Sequence, residues 1–303
     1  MKIALIGAGL IGEKRLASLN KNDELIIVCD INKKRAKDLA KKYSSKYTID
    51  YKDIINEDID IVIISVVNKY LKNIAITMLK SGKHILCEKP LGVDYKESKK
   101  ILDASIASNK IIKTGFNHRF HPSIIEAKKI IDQGKIGKIL NIRANYGHGG
   151  RPGMEDEWRC SKDLCGGGEL LDQGVHLIDL CRFFIEEKII EVYGKAFTSF
   201  WDINVEDNSF FNLEFKNGCF AQCHVSWTNW KNTFSFEIFG SLGYLKMQGL
   251  GGSYGEETLE FGIRNQKGGV PNIKKFNYPI GDFSWKLEWQ NFKDSIINKV
   301  NIN

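Results

Sequence analysis

Three short stretches of this 303-residue chain combine residue types and spacings suited to chemistry. The first, Gly7-Ala8-Gly9-Leu10-Ile11-Gly12, follows a β-branched run and opens an amphipathic one. Glycines so spaced permit a tight turn, backbone approach to a pyrophosphate and close helix–strand packing. Amides of a helix opening at Leu10, Ile11 and Gly12 would supply donors and positive potential for that anion. Asp30 ends the next apolar run, where an acid can hold ribose hydroxyls. An acid there also repels a 2′-phosphate, so NAD is the expected cofactor, with NADP as the alternative because Lys34 and Arg35 lie close by.

The second stretch is Glu88-Lys89-Pro90, at the end of another apolar run. Proline holds the residue before it extended, which fixes the direction of Lys89. A lysine beside a nicotinamide and a substrate hydroxyl stabilises a developing alkoxide; a solvated lysine at a strand end fits the same residues. The third stretch runs from Gly166-Gly167-Gly168 through Asp172, His176 and Asp179. On a helix these three polar residues, at i, i+4 and i+7, form one stripe among Leu170, Leu171, Val175, Leu177, Ile178 and Phe184. A histidine beside a carboxylate in apolar surroundings suits proton transfer near neutral pH. Taken alone, the pattern better describes a buried histidine satisfied by Asp172, with Asp179 capping a neighbouring element.

Those residues need elements to hold them. Short apolar runs at Lys2–Ile6, Leu25–Asp30, Ile59–Val66, His84–Glu88 and Ile111–Phe116 alternate with helical patterns at Leu10–Leu19, Lys33–Lys42, Leu71–Ser81 and Tyr95–Ser108. Runs such as Ile61-Val62-Ile63-Ile64 are continuous rather than alternating, as in parallel strands buried on both faces. This predicts an α/β doubly wound Rossmann domain over residues 1–118. Beyond it the chain predicts an α+β domain over residues 119–303. A helix at Ser123–Gln133, a strand at Lys138–Tyr146 and an apolar helix at Glu169–Phe184 come first. Period-two alternation from Ile189 to about Phe261 then predicts a large, mostly antiparallel open sheet, and a last helix covers about Trp285–Lys299.

Composition narrows the function classes. The formal net charge is +7, with the basic residues spread along helical faces, so no nucleic-acid partner is expected. Seven cysteines at irregular spacings, without CxxC or a histidine pair at zinc spacing, predict buried thiols and no metal. No apolar run reaches the ~20 residues that span a membrane. The N-terminal apolar stretch is broken by glycines and lacks a cleavage pattern, so a soluble cytoplasmic protein is expected. The loop from Tyr146 to Gly153 carries His148 and Arg151, which suit a carboxylate, a phosphate or sugar hydroxyls; a plain glycine-rich surface loop is the other reading.

Together, the glycine fingerprint, Glu88-Lys89-Pro90 and the GGGxxxDxxxH helix resemble the glucose–fructose oxidoreductase/inositol dehydrogenase family of NAD(P)-dependent dehydrogenases, over nearly the whole chain. Asn117-His118-Arg119-Phe120 is similar to the family's substrate-side segment, and Trp158-Arg159 precedes the glycine helix as in many relatives. The resemblance implies that Lys89 orients and polarises the reacting hydroxyl and that His176 is the general acid/base. It implies that Asp172 holds a substrate hydroxyl or tunes His176, and that Asn117 contacts substrate or nicotinamide. Arg119, His148, Arg151, Trp158 and Arg159 complete the candidate substrate residues, and Asn68 and Glu88 join the cofactor side.

The implied activity is hydride transfer between NAD and a secondary alcohol of a sugar, sugar acid, cyclitol or nucleotide sugar. The resemblance also implies a homodimer or homotetramer through the open sheet, whose outer face carries Gln222, His224 and Ser226. Two alternatives stand beside it: transient use of NAD for a net non-redox reaction, and a non-catalytic sensor. One departure is local. Relatives often carry Thr-Pro-Asn and a later histidine after the fourth strand, where this chain has Val66-Val67-Asn68 and keeps only the asparagine.

Overall fold

The computed structural model describes residues 1–299 and divides the chain into two compact units. The first contains residues 1–116, residues 163–166 and the chain from Trp285 on. Its strands are β1 (Lys2–Ile6), β2 (Glu24–Cys29), β3 (Lys46–Thr48), β4 (Ile61–Ile64), β5 (His84–Cys87) and β6 (Ile112–Thr114). They form a parallel sheet in the order β3-β2-β1-β4-β5-β6, interleaved with α1 (Leu10–Ala17), α2 (Lys33–Lys42), α3 (Asn68–Lys80) and α4 (Tyr95–Ser108). The order changes direction between β1 and β4, and open α/β sheets bind ligands at the carboxyl ends of strands beside such a switch.

The continuous apolar runs are explained by coverage on both sides. Ile3, Leu5, Val28, Ile61 and Ile63 enter one core with Leu16 and Leu39. Ala4, Ile6, Val62 and Ile64 enter the other with Leu71, Ile74 and Met78. The strand β3 gave no sequence signal, because three half-exposed edge residues are too few to show a period.

In the second unit, α5 (Pro122–Asp132) leads into β7 (Ile139–Gly147). The short α6 (Lys162–Cys165), which from Asp163 belongs to the first unit, precedes the glycine run, and α7 (Val175–Ile185) follows it. Then come β8 (Ile189–Phe197), β9 (Asn208–Phe215), β10 (Phe220–Ser226), β11 (Thr233–Gly240), β12 (Gly243–Gln248), β13 (Thr258–Ile263) and β14 (Asn272–Asn277). The sheet order is β14-β13-β12-β11-β7-β10-β9-β8, with β7 and β10 parallel and every other pair antiparallel. Phe211, Leu213, Phe215, Ala221, Cys223, Val225, Phe236 and Ile238 turn inward against Leu177, Leu180 and Phe184 of α7. On the opposite face His224 stacks on the exposed Phe210, ring centroids 3.9 Å apart.

The last helix is α8 (Ser284–Ile297). From Trp285 it belongs with the first unit rather than with residues 119–284, because Trp289 and Phe292 fill the core beside Ile3 and Leu5. Burying aromatic side chains of that size stabilises by roughly 1.5–3 kcal/mol each. Buried Arg15 on α1 reinforces the attachment: its Nε meets Glu88 and its Nη1 meets Glu288 of α8, both at 2.5 Å. Asn117 and His118 fall in the second unit, two residues earlier than the expected boundary. All seven cysteines are buried. Among the described residues, no helix is long and apolar enough to cross a membrane, and no cluster of histidine, cysteine and acidic side chains could hold a metal ion.

Candidate active site

The nucleotide end of the first unit is built from backbone. Gly7 has φ +101°, a left-handed conformation that favours glycine, and its amide donates to Cys29 O at 2.8 Å. A Cβ on Gly12 would collide with Gly7 O, so the loop and α1 are packed as closely as glycine allows. A Cβ on Gly9 would meet nothing within 4 Å, which leaves open space in front of the helix. Gly9 caps α1 without a side-chain bond, so the first amides of α1, those of Leu10, Ile11 and Gly12, face that opening without intrahelical partners. An uncapped helix N-terminus fronted by open space fits a dinucleotide pyrophosphate.

Asp30 closes this loop from β2. Its Oδ2 accepts from the Ala8 amide at 2.7 Å and its Oδ1 from the Asn32 amide at 2.8 Å. Each carboxylate oxygen has a second lone pair, so the brace leaves acceptor capacity for a ribose hydroxyl.

The remaining candidates in this unit divide. Asn68 opens α3 and donates from Nδ2 to Cys165 O at 2.9 Å, which fastens the segment before the glycine run. Glu88 binds Arg15 and serves the α1–α8 attachment. Lys89 is half-buried at the carboxyl edge of the sheet, after β5, and its peptide bond to Pro90 is cis.

In the second unit the glycine run leads into a π-helical turn, Leu170–Gly174, before α7. The wider i→i+5 turn modifies the expected regular stripe and commonly marks functional positions. Half-buried Asp172 lies in the π turn, and His176, buried, lies in the first turn of α7. The imidazole of His118, from the short turn Asn117–Phe120, stacks on that of His176 with centroids 3.7 Å apart. Tyr146 at the end of β7 meets His118 edge-on at 5.2 Å and packs on Tyr254 at 5.0 Å. Gln173 Nε2 donates to the Tyr254 oxygen at 2.9 Å. Burial pushes both phenols up, with Glu169 and Asp172 acting in the same direction.

Asp179, the third residue of the stripe, faces Arg119: Nε to Oδ2 at 2.8 Å and Nη2 to Oδ1 at 2.5 Å. Arg119 therefore ties the 117–120 turn to α7 and, with it, His118 to His176. Asn117 Nδ2 donates to Ser284 Oγ at 2.8 Å, and its Oδ1 lies 3.2 Å from His118 Nδ1.

His148 accepts from the Gly150 amide at Nδ1, and burial pushes its imidazole pKa down. Asp172, Arg159, Arg151 and Glu157 are its electrostatic neighbours. Arg151 pairs with one oxygen of Glu157 and Arg159 with the other, the latter at 2.7 Å. Half-exposed Trp158 lies under the Arg159 guanidinium at 5.4 Å.

The geometry thus gathers Asp172, His176 and His148 in one unit and the glycine loop, Asp30 and Lys89 in the other. Sequence reasoning passed over His118, Tyr146, Gln173 and Tyr254. Only His118 carried a signal, through its place between Asn117 and Arg119.

Comparison with known proteins covers both units. Residues 1–116 match the family described as "Oxidoreductase family, NAD-binding Rossmann fold", and residues 124–246 match the "GFO/IDH/MocA C-terminal domain". The levoglucosan dehydrogenase of Pseudarthrobacter phenanthrenivorans is 35% identical over 165 residues, 53% of this chain and 42% of that protein. The inositol 2-dehydrogenase of Salmonella typhimurium is 33% identical over 153 residues, 48% of this chain and 46% of that protein. The chain therefore spans less than half the length of these two relatives. A solved levoglucosan dehydrogenase in complex with NADH superposes with a TM-score of 0.89 at 24% identity, covering 100% of this chain and 91% of that one, which shows a shared fold.

Proposed function

The chain belongs to the GFO/IDH/MocA oxidoreductase family, and from that premise we propose that it is an NAD-dependent dehydrogenase acting on a secondary alcohol of a sugar or cyclitol. The observation that carries this reading is the π turn that sets Asp172 one turn ahead of His176. Relatives named as levoglucosan, inositol and D-glucoside dehydrogenases support the substrate type.

Bound NAD would supply the hydride acceptor. The amides of Leu10, Ile11 and Gly12, on a loop shaped by Gly7 and Gly9, would hold its pyrophosphate, and Asp30 would hold its ribose and disfavour NADP. Lys89 donates to the substrate oxygen and stabilises negative charge as it develops. His176 takes the hydroxyl proton, and Asp172 orients His176 or a neighbouring hydroxyl. Asn117 and Arg119 act behind these groups by holding the turn that carries His118. The exposed Phe210 and Phe220 on the outer sheet face favour a homodimer or homotetramer through that face, and we place the protein in the cytoplasm.

The test incubates the purified protein with NAD and a metabolite extract, with Lys89→Met as control, and reads products by mass spectrometry. A compound that loses two hydrogens together with NADH formation, only with the wild type, supports the reading. A compound altered without NADH would replace it with transient redox chemistry.

A further inference from the structure

We propose that Arg15 is a positioning residue for Lys89: through Glu88 it holds that lysine in register with α1, the helix whose N-terminus faces the cofactor. The proposal rests on the dehydrogenase reading above and adds the device that places its lysine.

Arg15 lies six residues past the Gly9 cap of α1, ~9 Å along the axis at the helical rise. Its side chain is fully buried, with Nε on Glu88 Oε1 and Nη1 on Glu288 Oε2, both at 2.5 Å. The Trp285 ring lies 4.4 Å from the central carbon of the guanidinium. Glu88 is the residue before Lys89, and its own amide donates to Ile64 O at 2.9 Å. Pro90 restricts the backbone of Lys89 from the other side. The lysine is thus carried between a proline and a residue whose backbone and side chain are both tied down. A reacting group keeps its place only when the residues behind it are themselves locked.

Gly115 shows that space is reserved for this pair. Its φ lies outside the left-handed region, so the backbone does not demand glycine. A Cβ there would fall 2.3 Å from Arg15 Nη2 and 3.1 Å from the Glu88 carboxylate. The Gly115 amide donates to Cys87 O at 2.8 Å, which keeps this position against the strand end that leads to Glu88.

Stability alone does not account for the arrangement. Taking ions out of water is costly, and well-packed apolar side chains of the same volume often stabilise as well or better. The cost shows at Glu288, whose carboxyl is pushed up by burial against the pull of Arg15 and Lys113. What the directional bonds add is geometry: α1, the Glu88–Lys89 segment and α8 meet at one guanidinium.

The experiment follows Lys89 by two readouts. NADH formation from levoglucosan and from myo-inositol gives kcat and KM. Acetylation of Lys89 by acetic anhydride, read on its peptide by mass spectrometry, is compared with and without saturating NADH. In the wild type NADH should slow that acetylation at least fivefold. Glu88→Ala leaves Arg15 paired with Glu288, so the fold is kept while the link to Lys89 is cut. It should lower kcat roughly tenfold or more, leave the KM for NAD within a few-fold, and reduce the protection of Lys89 below twofold. Gly115→Ala crowds the pair without removing a charge and should act in the same direction. Glu88→Gln retains an acceptor for Arg15 Nε and should recover most of both effects. Asp23→Ala is the stability control. It removes the acceptor of Trp289 Nε1 and Lys293 Nζ on α8, so the urea midpoint should fall while kcat and protection stay near wild type. Wild-type kcat and protection in Glu88→Ala, a wild-type Lys89 that NADH leaves unprotected, or equal losses in Asp23→Ala would each overturn the proposal. The expected protection pattern without NADH formation from these probes or the metabolite extract upholds the placement of Lys89 and counts against the dehydrogenase reading.

Discussion

The imidazoles of His118 and His176 lie face to face, their centroids 3.7 Å apart and their planes inclined by 23°. His118 is held from behind by Asn117, and its turn is fastened to α7 by the Arg119–Asp179 pair, three residues past His176. One face of the proposed acid/base is thus fixed by packing.

A ring positioned this way loses its orientation when the stack is removed. Misplacing a reacting group by about 1 Å costs on the order of 100-fold in rate. We expect His118→Ala to lower kcat by roughly 10- to 100-fold while leaving the KM for NAD unchanged. His118→Phe restores a flat partner and should recover most of the loss. Wild-type kcat in the alanine variant would remove His118 from the mechanism.

Lys89 is assigned to charge stabilisation on the substrate oxygen, so its amine matters more than its bulk. Methionine keeps the length of the side chain and removes the donor. Turnover of Lys89→Met should fall below detection, while NADH affinity, read by fluorescence titration, stays within a few-fold of wild type. Retained turnover on an identified substrate would show that the oxygen is stabilised elsewhere.

Most of the first unit was legible in the sequence because its signals are local. The glycine spacing and continuous runs such as Ile61–Ile64 each report an element from its own residues. Likewise, Phe211, Leu213 and Phe215 announced a one-sided sheet. What stayed hidden depends on long-range pairing. The core role of α8 follows from Trp289 and Phe292 meeting Ile3 and Leu5, almost the length of the chain away. The π turn is a shift in hydrogen bonding that the stripe of Asp172, His176 and Asp179 does not encode. Arg119 stood among the candidate substrate residues because its partner Asp179 lies sixty residues on. The Tyr146–Tyr254–Gln173 cluster joins β7, the loop after β12 and the π turn, and no one of these residues stands out in its own segment.

The glycine loop supports a cofactor prediction. In Gly12→Ala the new Cβ runs into Gly7 O, so either α1 or the loop must move. NADH affinity should drop at least tenfold, with the protein still folded by circular dichroism. In Asp30→Ser the proposed ribose acceptor and the brace on the Ala8 amide both weaken. The preference for NAD over NADP in kcat/KM should then shrink by an order of magnitude. An unchanged ratio would mean that cofactor choice is made by other residues.

Asp207 links the loop before β9 to pH. Fully buried, it accepts the amides of Ser199, Phe200 and Trp201 between 2.9 and 3.1 Å. Burial alone would push its pKa up, but these bonds and that from Asn208 outweigh burial and hold it below the usual carboxylate range. A carboxyl whose folded pKa is depressed stabilises the fold fully above its unfolded value, about 3.9. That contribution is lost as pH falls through the lower folded value. Asp207→Asn keeps the shape but turns one acceptor oxygen into a donor that faces amide donors. We expect it to cost about 1–3 kcal/mol at pH 7, read from the urea midpoint. The gap between variant and wild type should begin to close as pH falls below about 4, where the unfolded carboxyl takes up its proton while the folded one stays ionised, and is gone once the folded carboxyl is protonated too. A gap independent of pH would mean that the loop is held by shape and neutral bonds, with the charge of Asp207 contributing nothing.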